Sequence, residues 1–303
     1  MRVLVTGASG FVGSEVARQL LEAGYAVAGL ARSEASARAL AATGVEPVRG
    51  ELDAHDPLAE AARAVDAVIH CAFNHDFGNF AAAAETDRGA IAALGDGLAG
   101  SGKPLLVTSG IGLMAGEGIR GEDVGAATEG HAAVRGASED LALGLAARGV
   151  RVGLVRLPPS VHGAGDHGFV PALIGIARTK GISAYIGAGT NRWAAVHRTD
   201  AACVYRLALE KGEAGARHHA VAEEGISFAS IAAAIGRGLG VPAVAVDPEA
   251  ATEHFGWMGP FAGRDMAASS AATQERLGWR PTGPGLTEDI ASAGYFGSPG
   301  VSQ

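Results

Sequence analysis

The chain has 303 residues, a formal net charge of −8 and 18% charged residues, a size that suits one large α/β domain with an appended lobe. The acidic balance argues against nucleic acid or an anionic membrane surface as a partner, and no uncharged apolar run reaches membrane-spanning length. Two cysteines, Cys71 and Cys203, make no disulfide framework, and each sits in an apolar stretch where it packs as a small hydrophobe. The N-terminus lacks the basic start and apolar core of a secretory leader, so a cytoplasmic location is expected.

Val3, Leu4 and Val5 form an unbroken apolar run, the pattern of a strand covered on both faces. Gly7, Gly10 and Gly13 follow, then a predicted helix over residues 11–23 with Val12, Val16, Leu20 and Leu21 on one face. A glycine triplet between a buried strand and an amphipathic helix aims amides at an anion and lets a pyrophosphate approach the backbone. Thr6, Gly7, Ser9, Gly10, Phe11, Val12 and Gly13 are therefore candidate cofactor contacts. Further strands are expected over residues 25–30, 45–48, 67–71, 105–107 and 150–157, with helices over 34–42, 58–64, 80–98 and 139–147. Repeated βα units imply a doubly wound parallel sheet of the Rossmann type, with the ligand at the carboxyl ends of the strands. After Leu157 the prolines Pro158 and Pro159 break the strand and the alternation loosens. A loop is expected over residues 163–168, then helices over 169–180, 199–210 and 228–239. The expected division is a dinucleotide-binding core over residues 1–157 and a mainly substrate-capping lobe over 158–303, interleaved with late Rossmann elements. The tail from Gly297 is expected to fray.

The end of the second strand discriminates between nicotinamide cofactors. It reads Gly29-Leu30-Ala31-Arg32-Ser33, with no acid at the tip to accept from a ribose 2′-hydroxyl and an Arg whose planar fork suits a 2′-phosphate. NADP is therefore expected over NAD, held there by Arg32 and Ser33. Glu51 and Leu52, after the third strand, are placed for an adenine edge; Cys71, Ala72 and Phe73, after the fourth, for the riboses; Leu157 and Pro158 end the sixth.

Thr6-Gly-Ala-Ser-Gly-Phe-Val-Gly13 resembles the TGxxGxxG fingerprint of the extended short-chain dehydrogenases/reductases, the epimerase/dehydratase-like group. Residues 66–72, 106–109, 155–163 and 195–201 resemble later segments of that family in the same order, so the likeness runs from Met1 to about Trp279. It implies that Ser109, with Thr108 as runner-up, is the catalytic hydroxyl at the end of the fifth strand. It also implies a Tyr four residues before a Lys, and this chain has none: Tyr25, Tyr185, Tyr205 and Tyr295 are followed at i+4 by Gly29, Gly189, Leu209 and Pro299. Counting back from Arg156, the motif's place is taken by His131-Ala-Ala-Val-Arg135. His131 can transfer protons near neutral pH without a helper, and Arg135 can hold ribose hydroxyls while keeping its own proton. The bland alternative is a variable Ala- and Gly-rich loop over residues 125–136 with His131 on its surface.

Asn74, His75 and Asp76 follow the fourth strand toward the cofactor's reactive end, and Ile111, His162, His167, Phe169, Trp193 and His197 are further candidate substrate contacts. Phe77, Met114, Phe169, Trp193 and Trp257 are candidates for an apolar substrate wall, and His218-His219 is expected at the surface. No tight ligand spacing supports a metal. The reading that follows is an NADP(H)-dependent reductase of a small, fairly apolar carbonyl compound. An isomerase, dehydratase or cyclase on the same fold, or a non-catalytic NAD(P) sensor, stays open. A small-molecule substrate is the expected partner, and analogy with the family suggests a homodimer.

Overall fold

The computed structural model describes residues 1–75, 77–292 and 294–297. Five βα units and a sixth strand come first: β1 (Arg2–Thr6), α1 (Phe11–Glu22), β2 (Ala26–Ala31), α2 (Glu34–Ala42), β3 (Glu46–Arg49), α3 (His55–Arg63), β4 (Ala67–His70), α4 (Phe80–Leu98), β5 (Pro104–Gly110), α5 (Gly130–Gly144) and β6 (Arg151–Leu157). Then follow β7 (Ser160–His162), α6 (Phe169–Lys180), β8 (Ser183–Ile186), β9 (Arg192–His197), α7 (Arg198–Lys211), β10 (Arg217–His219), β11 (Glu223–Ser227), α8 (Phe228–Leu239) and β12 (Ala243–Val246). Four short helices end the chain: α9 (Ala251–Phe255), α10 (Gly259–Ala262), α11 (Ala271–Leu277) and α12 (Leu286–Ser292).

The central sheet is parallel throughout, in the order β10-β6-β5-β4-β1-β2-β3. Side chains alternate across a strand, so each strand feeds two cores. Val3, Val5, Ile69 and Val155 point to the layer of α1, α2 and α7, where Leu20, Leu40, Tyr205 and Leu209 meet them. Leu4, Val68, Leu105 and Leu154 point to the layer of α3, α4 and α5, against Leu58, Ile91, Leu94 and Leu145. The order reverses between β1 and β4, and the crevice at their carboxyl ends is where a nucleotide docks in such sheets. The lobe adds a three-stranded sheet, β11-β9-β7, and the pair β12-β8, with its own core around Leu173, Trp193, Phe228, Ile231 and Phe255. Among the described residues no helix is long and apolar enough to cross a membrane.

Three expectations need correcting. The helix expected over residues 139–147 begins at Gly130, nine residues earlier, so the alternative of a variable loop over 125–136 fails from Gly130 on. Its buried face is built from small residues, Ala132 and Gly136, which carry almost no periodic hydrophobic signal. His218 and His219 are buried rather than exposed, because β10 joins the edge of the main sheet beside β6. Met114 and Trp193 form no substrate wall: both are core residues, and the Trp193 indole donates to the Phe261 carbonyl at 3.3 Å.

Candidate functional site

The glycine loop takes the shape that a dinucleotide requires. Gly7 has φ +70°, and a Cβ there would lie 2.8 Å from the Ala72 nitrogen; at Gly13 it would lie 2.1 Å from the Gly7 carbonyl oxygen. Only glycine fits either place. Gly10 stands at the N-cap of α1 without any side-chain cap, so the first amides of the helix stay available to an anion. Ser9 is exposed beside it, and Phe11 and Val12 are half-buried. Arg198, at the start of α7, stacks its guanidinium 4.6 Å from the Phe11 ring centroid and donates to Ser14 Oγ at 3.1 Å. Its Nε is buried without a hydrogen bond. The His167 ring meets Phe11 edge-on, 5.8 Å away. A glycine cradle, an uncapped helix start and an adjacent guanidinium fit the phosphates of a dinucleotide.

At the adenosine end, Arg32 is exposed and makes no ion pair or hydrogen bond with a described residue. Arg49 lies opposite Ala31 on the neighbouring strand, 3.8 Å from Glu34. Ser33 commits its hydroxyl to the capping box of α2, accepting from Ser36 N at 3.1 Å. Glu51 is exposed and Leu52 half-buried after β3. Cys71, Ala72 and Phe73 leave β4 half-buried, and burial pushes the Cys71 thiol up to about 12, so it stays a neutral, unreactive thiol. Leu157 ends β6, two strands away from β4 in the sheet, and Pro158 follows it.

The catalytic end gathers residues from β4, α4 and α5. Arg135 packs its guanidinium 3.6 Å from the centroid of Phe73, and its Nε lies 4.0 Å from the Asp87 carboxylate on α4. Among the described residues the guanidinium has the Asp87 carboxylate as its ion-pair partner and makes no hydrogen bond. One helical turn earlier, the exposed His131 stacks on Phe80 with centroids 4.5 Å apart. His75 sets its ring edge against Phe73 at 5.3 Å. Burial pushes the His75 imidazole below its ordinary range, and the charges of Arg135 and His167 push the same way. Asn74 is exposed in this loop; Asp76 lies outside the described residues.

The two expected hydroxyls are elsewhere engaged. Thr108 donates to the His70 carbonyl at 2.7 Å and pairs with the Tyr205 hydroxyl at 2.8 Å. Ser109 is buried and donates to Glu139 at 2.5 Å, within a network in which Arg156 grips both oxygens of that carboxylate. Ser109 therefore faces the inner side of α5 and not the crevice. Ile111 is fully buried with Met114 and Ala268. His162 is sealed against Asp289 at 2.7 Å, next to the half-buried His197. Phe169 opens α6 and packs on Trp193, Trp257 and Phe261. These lobe residues form one aromatic cluster with little free surface, apart from Trp257, which is 51% exposed.

Asp87 and His70 escaped the sequence reading. The signal was there: Ala83, Ala84, Asp87, Ala90, Ile91 and Leu94 share the buried face of α4, so a lone acid interrupts an apolar stripe.

Residues 3–222 match the NAD dependent epimerase/dehydratase family. An uncharacterized protein of Schizosaccharomyces pombe is 49% identical over 296 residues, covering 98% of this chain and all of the relative. One of Saccharomyces cerevisiae is 44% identical over 294 residues, covering 96% and 98%. Among solved structures, a dTDP-glucose 4,6-dehydratase of Streptomyces venezuelae with NAD and TYD bound superimposes with a TM-score of 0.77 at 21% identity, covering 97% of this chain and 95% of that one. The glycine cradle, the seven-stranded order and a match over more than half its length together make this chain a member of the NAD dependent epimerase/dehydratase family.

Proposed function

We propose that the protein is an NADP(H)-dependent oxidoreductase that reduces a carbonyl group of a small substrate, using His131 and Arg135 in the place where the family likeness implies a Tyr and a Lys. One observation carries the reading: Arg135 is held at the crevice by Asp87 and Phe73, with no hydrogen bond to a described residue, one turn from an exposed histidine. The bound nicotinamide supplies the hydride in such a reaction, so the protein must contribute position and one proton. Gly7, Gly10, Gly13 and the first amides of α1 receive the pyrophosphate. Arg135 donates to ribose hydroxyls and stays charged throughout. His131 gives a proton to the developing alkoxide and regains it from water. Arg32, which pairs with no described residue, is the group that selects the 2′-phosphate.

A second reading, a nucleotide-binding protein without turnover, draws on the commitment of both the Thr108 and Ser109 hydroxyls to protein partners. The deciding experiment is titration with NADPH and with NADH followed by nicotinamide fluorescence, repeated on Arg32→Ala. The reductase reading expects NADPH to bind, the variant to lose about tenfold or more of that affinity, and NADH to be unaffected. NADPH oxidation over a carbonyl panel then follows, with His131→Asn expected to lower kcat by ~10²-fold or more at unchanged nucleotide affinity. Binding without oxidation of any panel member supports the sensor; absence of binding ends both readings.

A further inference from the structure

Asp87 is a carboxylate only 2% exposed on an otherwise apolar helix stripe, a costly placement that nothing in the packing of α4 requires. Its contacts close a ring across four elements. The acceptor-only carboxylate takes a hydrogen bond from His70 Nε2–H at Asp87 Oδ1, 3.2 Å away, and His70 Nδ1 pairs with the Thr6 hydroxyl at 2.7 Å. Thr6 Oγ1 in turn accepts the Ala72 amide at 3.2 Å. Phe73, the next residue, lies under the Arg135 guanidinium, and Arg135 Nε faces Asp87 Oδ2 at 4.0 Å. Oδ2 has no hydrogen-bond partner of its own. Burial alone would raise the Asp87 pKa. The His70 hydrogen bond, with the charges of His70 and Arg135, outweighs this and holds it below the ordinary carboxylate range.

We propose that Asp87 is the positioning residue of the site: through its charge it fixes the Arg135 guanidinium over Phe73, and through His70 and Thr6 it ties that cation to the glycine loop. The guanidinium is thereby held from two directions, by charge from α4 and by ring stacking from the β4 loop, and both supports are anchored on Thr6 at the start of the nucleotide cradle. Loop and cation thus keep one fixed separation, which is what a single dinucleotide spanning both requires. This inference rests on the reading of Arg135 as a nucleotide contact.

The test is a double-mutant cycle on NADPH affinity with Asp87→Asn, Arg135→Gln and the double variant, each checked for its melting temperature without nucleotide. Asparagine keeps an acceptor for His70 and removes only the charge opposite Arg135. The expected result is a loss of about tenfold in NADPH affinity for Asp87→Asn alone and no further loss when it is added to Arg135→Gln. Equal losses in both backgrounds would mean that Asp87 acts on the fold and not through Arg135, and would overturn the inference while leaving the role of Arg135 intact. An Arg135→Gln variant that binds NADPH like the wild type would instead remove the role of Arg135 and the inference with it. Should Asp87→Asn not fold, Asp87→Glu, which keeps the charge and displaces the oxygens, takes its place in the same cycle with the same two readings.

Discussion

Acid should destabilise this protein through histidines that the main sheet has sealed away from water. His218 is 1% exposed in β10, and neither of its ring nitrogens has a hydrogen-bond partner. The groups that face it are Arg276, Glu122 and His219. Burial is the largest influence, Arg276 adds to it and Glu122 opposes it, and together they push the imidazole down to about 4. His219 is pushed the same way by burial; its neutral form donates Nδ1–H to the Ser269 carbonyl at 2.7 Å and turns Nε2 to Arg156 at 3.3 Å. The folded pKa of His218 thus lies below the unfolded value of about 6.5. Its contribution to stability is whole above pH 6.5 and is lost as the pH falls from there toward 4, because the unfolded chain binds the proton first. At pH 5 the loss from His218 alone is about 2 kcal/mol, a large part of the ~5–15 kcal/mol that holds a typical domain together. Urea unfolding at pH 7.5 and at pH 5 measures it, with His218→Leu as the reference chain that cannot take up that proton. The wild type should lose about 2 kcal/mol more than the variant between the two pH values. Equal losses would refute the reasoning and mean that His218 is hydrated in the folded state.

Ser109→Ala should leave nucleotide affinity and turnover within about twofold of the wild type while lowering stability by about 1 kcal/mol. The serine hydroxyl serves Glu139 and not the crevice, and thermal unfolding beside a steady-state assay separates the two effects. Gly13→Ala should abolish NADPH binding, since its Cβ would stand 2.1 Å from the Gly7 carbonyl oxygen and force the cradle open; fluorescence titration reads the loss, and near-wild-type circular dichroism shows that the sheet survives.

The first half of the fold was legible because its signals are strong and local. A buried apolar run at Val3, Leu4 and Val5 and three spaced glycines fixed the opening βα unit, and α4 and α6 were bounded to the residue by clear helical periodicity. The lobe was not, because β7, β10 and β11 are three to five residues long and take their partners from far along the chain. Within the site, the order of residues located His131 and Arg135 on one face of a helix that periodicity had missed. What order could not convey is side-chain direction. Whether Ser109 points at a substrate or at Glu139 depends on a carboxylate thirty residues later in the chain and on Arg156 drawing it inward. Asp87 was overlooked for a related reason: a charge in a helix is ordinarily assigned to solvent, and only the neighbouring apolar positions show that it faces inward.

The strand β10 has a consequence for how the protein is made. It completes the sheet by pairing with β6 across an intervening stretch that contributes to the lobe. During synthesis β6 leaves the ribosome with one edge bare, and at ~5–20 residues per second its partner emerges only some seconds later. Over that interval the nascent chain exposes the apolar, hydrogen-bonding edge of Val152, Leu154 and Val155, the kind of edge that recruits other strands. A fragment ending at Leu157 would keep that edge permanently. Such a fragment should self-associate even though it contains the whole glycine cradle, and the dinucleotide half of this protein should be soluble only in the company of the residues that follow it.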